Sequence, residues 1–509
     1  VTIRASIYEI DDDRTHTNPL GLWAAIGDSV TSYVSGKYDK ENCKKYELRL
    51  PSTGKASPRG KLIRYRAISA SIRRHDRSSV TLMDVSVSNI FVDSENSKLF
   101  VRTADYPEHA HWIRDVSKIP LAEHVDMAKQ FVADISSSGY KIQDANLESL
   151  TLPPAKLHNN VSEFTLPEGS ILKCALHPIH AVETDISFAV VTPSIFFSES
   201  IASKLSDKVN QFYRSGTRLP PKVFGSKTLI NSCVNLIVLS DTADLNKWPK
   251  FRNRLRAAER DGIRFKIVRS SSINKAYPLL NIAYELCLLG GMIPWQPLKN
   301  QPAFCSIDAG HCTDKKRSRW VKVESDKFQA ISDTQVKNTT LAEHIPSHLY
   351  ESMWPSDIGA IFCRDGRLAS ERSYYSERGK KENHSIIECK KHPKSVIWRE
   401  DNNTNIVRAG GQGDCVIDSH RDFLMQPTGQ NMPDAKKPIR LTIDENQDKA
   451  IELAQSFFEH YGMPGLSLFN TSRLPGTLYF ADLISKLTED GWIKIIGHGL
   501  RIDDVQKSF

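Results

Sequence analysis

The rhythm of apolar and polar positions changes near the middle of the chain. In residues 1–160 the segments 62–72 (LIRYRAISASI) and 79–92 (SVTLMDVSVSNIFV) are rich in β-branched residues and alternate, so they predict strands. Segment 121–139 (LAEHVDMAKQFVADISSSG) repeats apolar residues every three or four positions and stops at glycine, which predicts a helix. A short strand, 186–193, and a helix, 201–216, follow, and the Pro-Pro of 218–222 marks a boundary. Beyond it the pattern is strand–helix–strand–helix. Segment 234–241 (VNLIVLSD) is a continuous apolar run, as a strand buried on both faces requires. A basic helix over 248–260, a strand over 262–271 and a helix over 277–291 closing on two glycines complete an open α/β layer. From residue 301 strands come faster, at 303–308, 318–325, 328–335, 357–366, 385–391, 395–401 and 439–445. One helix is expected between the third and fourth of these, and two, over 446–462 and 478–491, close the region. The fold class is α/β.

The 509 residues suffice for three or four domains, and 40% hydrophobic with 25% charged residues is ordinary for globular chains. A formal charge of +8 is a mild excess. It gathers in four clusters, at 37–45, 250–266, 314–320 and 377–384, which read either as solvated faces or as tracks for a polyanion. The nine cysteines show no framework spacing, and Cys233, Cys287 and Cys305 lie in or beside apolar runs, so reduced buried thiols and a cytoplasmic setting are expected. Cys389 and His392 form a lone pair without the second half of a zinc site, and the HAHW stretch at 109–112 reads as surface or turn. No apolar run reaches the roughly 18 residues of a membrane span, and no secretory signal is visible.

Three aspartates carry the candidate chemistry. Asp308 ends the strand of FCSID, Asp365 ends that of IFCRD, and Asp482 lies in the last helix where its apolar face packs inward. Alone, an Asp before Gly such as Asp365 is ordinary turn chemistry, and Asp308 also reads as a capping residue. Together, two strand-end carboxylates and one on a late helix match the RNase H-like plan. In that plan two divalent ions about 4 Å apart activate water and stabilise the leaving oxygen. Hard oxygen ligands suit Mg²⁺ or Mn²⁺.

The order of segments 281–297, 305–311, 361–368, 413–427 and 474–487 resembles the MID and PIWI domains of prokaryotic Argonaute proteins. A helix ends in CLLGG with Pro-Trp following; DAGH, RDG and P-G-T-L-Y-F-A-D then come in the family's order over residues 221–509. The resemblance implies a Rossmann-like MID domain at 221–300 and an RNase H-like PIWI domain at 301–509. Before them it implies an N-terminal and first-linker region at 1–160 and a second-linker region at 161–220. That front half leaves little room for a PAZ domain. Asp308, Asp365 and Asp482 fall on three of the family's four catalytic and metal-binding positions. The fourth, a loop glutamate, falls on Thr340, with Glu343 nearby but out of register. The family's pocket for the guide's 5′ end falls on Phe251, Arg254, Leu255, Lys266 and Leu288, and Lys390 and Lys391 are expected to face guide phosphates. Phe and Leu cannot supply the charge-assisted donors a phosphate dianion needs. The pocket therefore suits a 5′-hydroxyl guide or one rebuilt around Lys266. The implied partners are a short guide RNA or DNA, a complementary target strand (DNA preferred) and an effector subunit. The implied activity is guide-dependent two-metal cleavage in host defence against foreign DNA. The alternative is a guide-binding sensor that does not cut and activates a separate effector.

Overall fold

The computed structural model describes all residues except 12–18, 41–46, 59, 75–79, 94, 100, 102–105, 166–170, 183–184, 214–219, 243–247, 262, 312–316, 327–329, 341–343, 369, 402–405, 419–420, 428–437, 463–473 and 487–509. The chain divides into two compact units. One is built from Val1–Thr151 with His392–Arg440, the other from Leu152–Lys391 with Leu441–Phe509. The first unit thus takes residues 392–440 from the stretch read above as PIWI.

The first unit centres on an antiparallel sheet in which Ile63–Arg74 pairs with Thr81–Val92 along its full length. Helices Pro19–Tyr33 and Leu121–Ser137 cover one face, burying Trp23, Ile26, Phe131 and Ile135 against Ile68, Met83 and Val85. The predicted helix ends as expected, with Gly139 at φ 100° beyond the last turn. The HAHW stretch divides: His111 is exposed at the surface, as expected, whereas His109 is buried against the edge of Trp112 at the entry to the helix Ala110–Ser117.

Two sheets of the second unit position the site, beside a small three-stranded sheet of Lys156–His158, Glu163–Thr165 and Gln296–Pro297. Strands β1 (Ser187–Val191), β2 (Val223–Ser226), β3 (Cys233–Leu239) and β4 (Phe265–Arg269) are parallel, in the order β2-β1-β3-β4. β3 is buried at every position, so its unbroken apolar run is explained. Helices α1 (Ile195–Val209), α2 (Pro249–Arg260) and α3 (Ala276–Leu289) accompany this sheet. The second sheet contains β5 (Phe304–His311), β6 (Arg317–Asp326), β7 (Ala330–Thr340), β8 (Ile361–Asp365) and β9 (Ser385–Lys390), in the order β7-β6-β5-β8-β9. β5, β8 and β9 run parallel, while β6 and β7 are antiparallel additions.

Period-two alternation splits this sheet into two faces. Cys305, Ile307, Trp320 and Phe362 bury one face under Tyr375 of α4 (Arg372–Glu382) and under Leu349, Met353 and Trp354. Val321 and Val323 bury the other under Phe480, Ala481 and Ile484 of α6 (Gly476–Ser485), which follows α5 (Gln447–Glu459). The helix expected between β7 and β8 is absent from the described residues, which show one 3-10 turn, Ser347–Leu349. Pro355 cannot continue a helix and disfavours helical backbone at Trp354 before it, which limits any helix in this stretch to a short one. The strongly polar α4 was not legible from apolar periodicity.

Candidate metal centre

The parallel register brings the strand ends together. Ile307 pairs with Arg364, so Asp308 and Asp365 are the next residues along β5 and β8, and Asp365 pairs with Cys389 of β9. β8 and β9 end here, whereas β5 runs on to His311 along β6, so Asp308 lies within its strand rather than at its end as expected; this is still the carboxyl side of the parallel strands, where open α/β layers place their ligands. Arg364 turns to the other face, where it pairs with Glu371 and lies 5.2 Å from the Trp320 ring; alternation therefore turns Asp365 toward α6. Gly366 follows at φ 90°, and its N–H bonds the Cys389 carbonyl at 2.8 Å, which ends the strand directly after the carboxylate.

Helix α6 supplies the third carboxylate. Its approach depends on Gly310, because a Cβ there would lie 2.0 Å from the Ser485 carbonyl oxygen. Two hydroxyls anchor the start of the helix, with Ser306 and Thr477 at 2.7 Å. At the other end Ser485 lies three residues beyond Asp482, on the same side of the helix, and its hydroxyl is 3.2 Å from Asp308 Oδ2. One oxygen each of Asp308, Asp365 and Asp482 then lies within 4.8 Å of the others, the one such group of metal-ligating side chains among the described residues.

A lysine completes the cluster. Lys391, the first residue after β9, places its ammonium 3.2 Å from Asp308 Oδ2 and in contact with Asp365 Oδ2 and Asp482 Oδ1. Lys486 reaches Asp482 Oδ1 from the solvent side. Burial, reinforced by the Asp365 carboxyl beside it, pushes Asp308 up to about 8. Asp482 goes the other way: burial is outweighed by the hydrogen bonds from Lys391 and Lys486, which hold it below the usual carboxylate range. Burial alone would lower Lys391, but Asp308 and Asp365 hold its ammonium charged. Three hard oxygen donors gathered around a cation fit Mg²⁺ or Mn²⁺, for which Asp308, Asp365 and Asp482 are the holding residues.

The other residues singled out from sequence lie elsewhere. Thr340, at the glutamate position, is exposed at the end of β7, and Glu343 lies outside the described residues. Leu255 of α2 is fully buried in the core and Phe251 packs half-buried beside it, whereas Arg254 is exposed. Leu288 packs half-buried against the core on the other side of the parallel sheet. Lys266 of β4 is buried in an ion pair with Glu285 of α3, to which Asn281 also donates. Burial raises the Glu285 carboxyl, and Lys266 opposes that shift. Lys390 is exposed at the end of β9, while Lys391, expected against phosphates, is turned into the carboxylates. Sequence reasoning missed Ser485 altogether and gave Lys391 a different role. Ser485 could have been found from its three-residue spacing to Asp482, but the inward turn of Lys391 had no local signal.

No family model and no curated protein matches the sequence. The fold does match solved structures. Clostridium butyricum Argonaute bound to a guide DNA and a 19-mer target DNA superposes with a TM-score of 0.70 at 13% identity, over 94% of this chain and 86% of that one. Marinitoga piezophila Argonaute in complex with 5′-OH guide RNA and target DNA gives 0.68 at 10%, over 93% and 86%. Drosophila Piwi gives 0.64 at 11%, over 93% and 84%. The chain has the Argonaute fold with MID–PIWI architecture. At these identities the likeness is one of fold, and the chemistry rests on the residues above.

Proposed function

We propose that this protein binds a short nucleic-acid guide, recognises a complementary strand by base pairing, and cuts that strand at the Asp308–Asp365–Asp482 cluster. The observation that carries the reading is the convergence of those three carboxylates, within 4.8 Å, on two adjacent parallel strands and on the helix packed over them. The Argonaute fold supports it, and so do guide and target strands bound by the Clostridium and Marinitoga proteins. Sequence specificity then resides in base pairing, while the protein contacts backbone and shape. A divalent metal held by the three aspartates would supply charge stabilisation and an activated water for phosphodiester hydrolysis. Ser485 and the backbone N–H of Ala309, 2.7 Å from Asp308 Oδ1, orient the Asp308 carboxyl for that role.

The 5′ end of the guide is proposed to carry a hydroxyl. Of the residues assigned to that pocket, Leu255 is core, Phe251 and Leu288 are apolar, and Lys266 already spends its charge on Glu285. A phosphate dianion would find too few free donors there. Arg254 and Lys390 are both exposed and basic, and are the side chains proposed to meet the guide backbone.

One observation favours a second reading, a guide-binding sensor that does not cut: a lysine, rather than a fourth carboxylate, completes the cluster. Purified protein loaded with RNA or DNA guides, each with 5′-hydroxyl or 5′-phosphate, and given a labelled complementary strand with Mn²⁺ separates the two. A cut at one fixed distance from the guide's 5′ end, abolished by Asp308→Ala, establishes the nuclease. Tight guide-dependent target binding without a cut establishes the sensor. Tighter loading of 5′-phosphate guides by tenfold or more overturns the hydroxyl assignment.

A further inference from the structure

Lys391 occupies the place where the three carboxylates converge. Its ammonium touches oxygens of Asp308, Asp365 and Asp482 at once, and its side chain is 11% exposed. One oxygen from each of the same three carboxylates lies within 4.8 Å of the others, close enough to ligate a single ion. A divalent ion bound at about 2.1 Å from them would share the ammonium's position, and two cations cannot share it. Lysine differs here from a carboxylate-orienting arginine, because it is a compact charge on a flexible four-carbon stem that can withdraw without moving the backbone.

We infer that Lys391 is the resident counter-ion of this cluster, one that a divalent cation must displace before it binds. The inference rests on the reading of Asp308, Asp365 and Asp482 as metal ligands. Without metal, Lys391 holds three carboxylates together that would otherwise repel one another. With metal, the ammonium leaves, and the fraction of molecules in which it has left scales the apparent affinity. Lys391 thereby sets the divalent concentration at which the site fills, a role distinct from contacting a phosphate.

The test is Mn²⁺ binding without nucleic acid, followed by the electron paramagnetic resonance of the free ion. The wild type, Lys391→Met, Lys391→Arg, Lys486→Met and Asp308→Asn proteins are compared. If the ammonium is out in a tenth of the molecules or fewer, Lys391→Met binds Mn²⁺ at least about tenfold more tightly than the wild type. Lys391→Arg retains the charge and binds no more tightly than the wild type. Lys486→Met removes an equal charge from the solvent side and shifts affinity by less than about threefold. Mn²⁺ also raises the melting temperature of Lys391→Met more than that of the wild type; a Lys391→Met protein that folds only with Mn²⁺ supports the inference equally. Equal or weaker binding by Lys391→Met, or an equal gain from Lys486→Met, overturns the inference and leaves the metal-site reading standing. Binding that survives Asp308→Asn unchanged, or no binding by any of the proteins, overturns both.

Discussion

Asp308 can be a ligand only because a residue two positions away has no side chain. Gly310 lets the end of α6 rest on β5, and an added Cβ would strike the Ser485 backbone, which cannot rotate aside. Gly310→Ala is expected to destabilise the protein by about 2–3 kcal/mol, as overpacking does. It should also spoil the cluster by lifting Asp482 away. Urea unfolding and Mn²⁺ titration of the variant check both effects. Unchanged stability together with unchanged metal affinity would show that the contact is soft. Asp308→Asn, by contrast, keeps shape and the Ala309 and Ser485 contacts, so it is expected to remove guide-directed cleavage with little loss of target binding. Gel-shift and cleavage assays on one preparation read the two quantities separately. The Asp308 and Asp365 positions were legible in the sequence because each closes an apolar run and is soon followed by glycine, which at Asp365 starts a turn and at Asp308 stays in the strand. The neutralising Lys391 was not, because nothing in CKKHP says which of two adjacent lysines turns inward.

At the scale of elements, the site is a matter of register. β5, β8 and β9 run parallel in a register that sets Asp308 beside Asp365, so carboxylates 57 residues apart become neighbours. Sequence periodicity identified the strands but carried no information on which strands adjoin, since parallel partners are chosen by long-range packing. A second tie of this kind joins β4 to α3 through Lys266 and Glu285, both buried. Sequence alone made Lys266 a candidate for a guide end; its partner Glu285, nineteen residues on, became visible only in three dimensions. Glu285→Leu leaves a buried ammonium unpaired and is expected to cost about 3–5 kcal/mol. Lys266→Met with Glu285→Leu is expected to recover most of that loss, because apolar residues of similar volume replace both charges. A double-mutant cycle by chemical denaturation measures the coupling, and additive losses would show that the pair is solvated in solution.

Over the whole molecule, each unit buries a histidine in its neutral form. His124 of the first unit is lowered to about 4 by burial, against a hydrogen bond to the Val85 backbone. His460 of the second is lowered to about 3 by burial; it stacks on Phe304 with ring centroids 4.1 Å apart. Below an unfolded value of roughly 6.5 the unfolded chain takes up protons that the folded one refuses. Stability is therefore complete above that pH and falls as pH drops toward the folded values. Between pH 7 and 5 the expected loss is about 2 kcal/mol for each histidine, at 1.36 kcal/mol per unit. Urea midpoints at the two pH values measure it, and His124→Asn should remove its share; an identical slope in the variant would mean that His124 is solvated and titrates normally. Sequence by itself determined the local elements and the residue types. Burial on both faces demanded unbroken apolar strands, helix periodicity placed the main helices, and ordered motifs pointed to the MID–PIWI plan. Tertiary structure decided what is near what. The convergence of Asp308, Asp365 and Asp482, the inward turn of Lys391 and the Lys266–Glu285 pair all arise from contacts across many residues of chain. Hydrophobic patterning constrains which face of an element is buried, but side-chain neighbours across a sheet or helix interface are set only when the whole core packs.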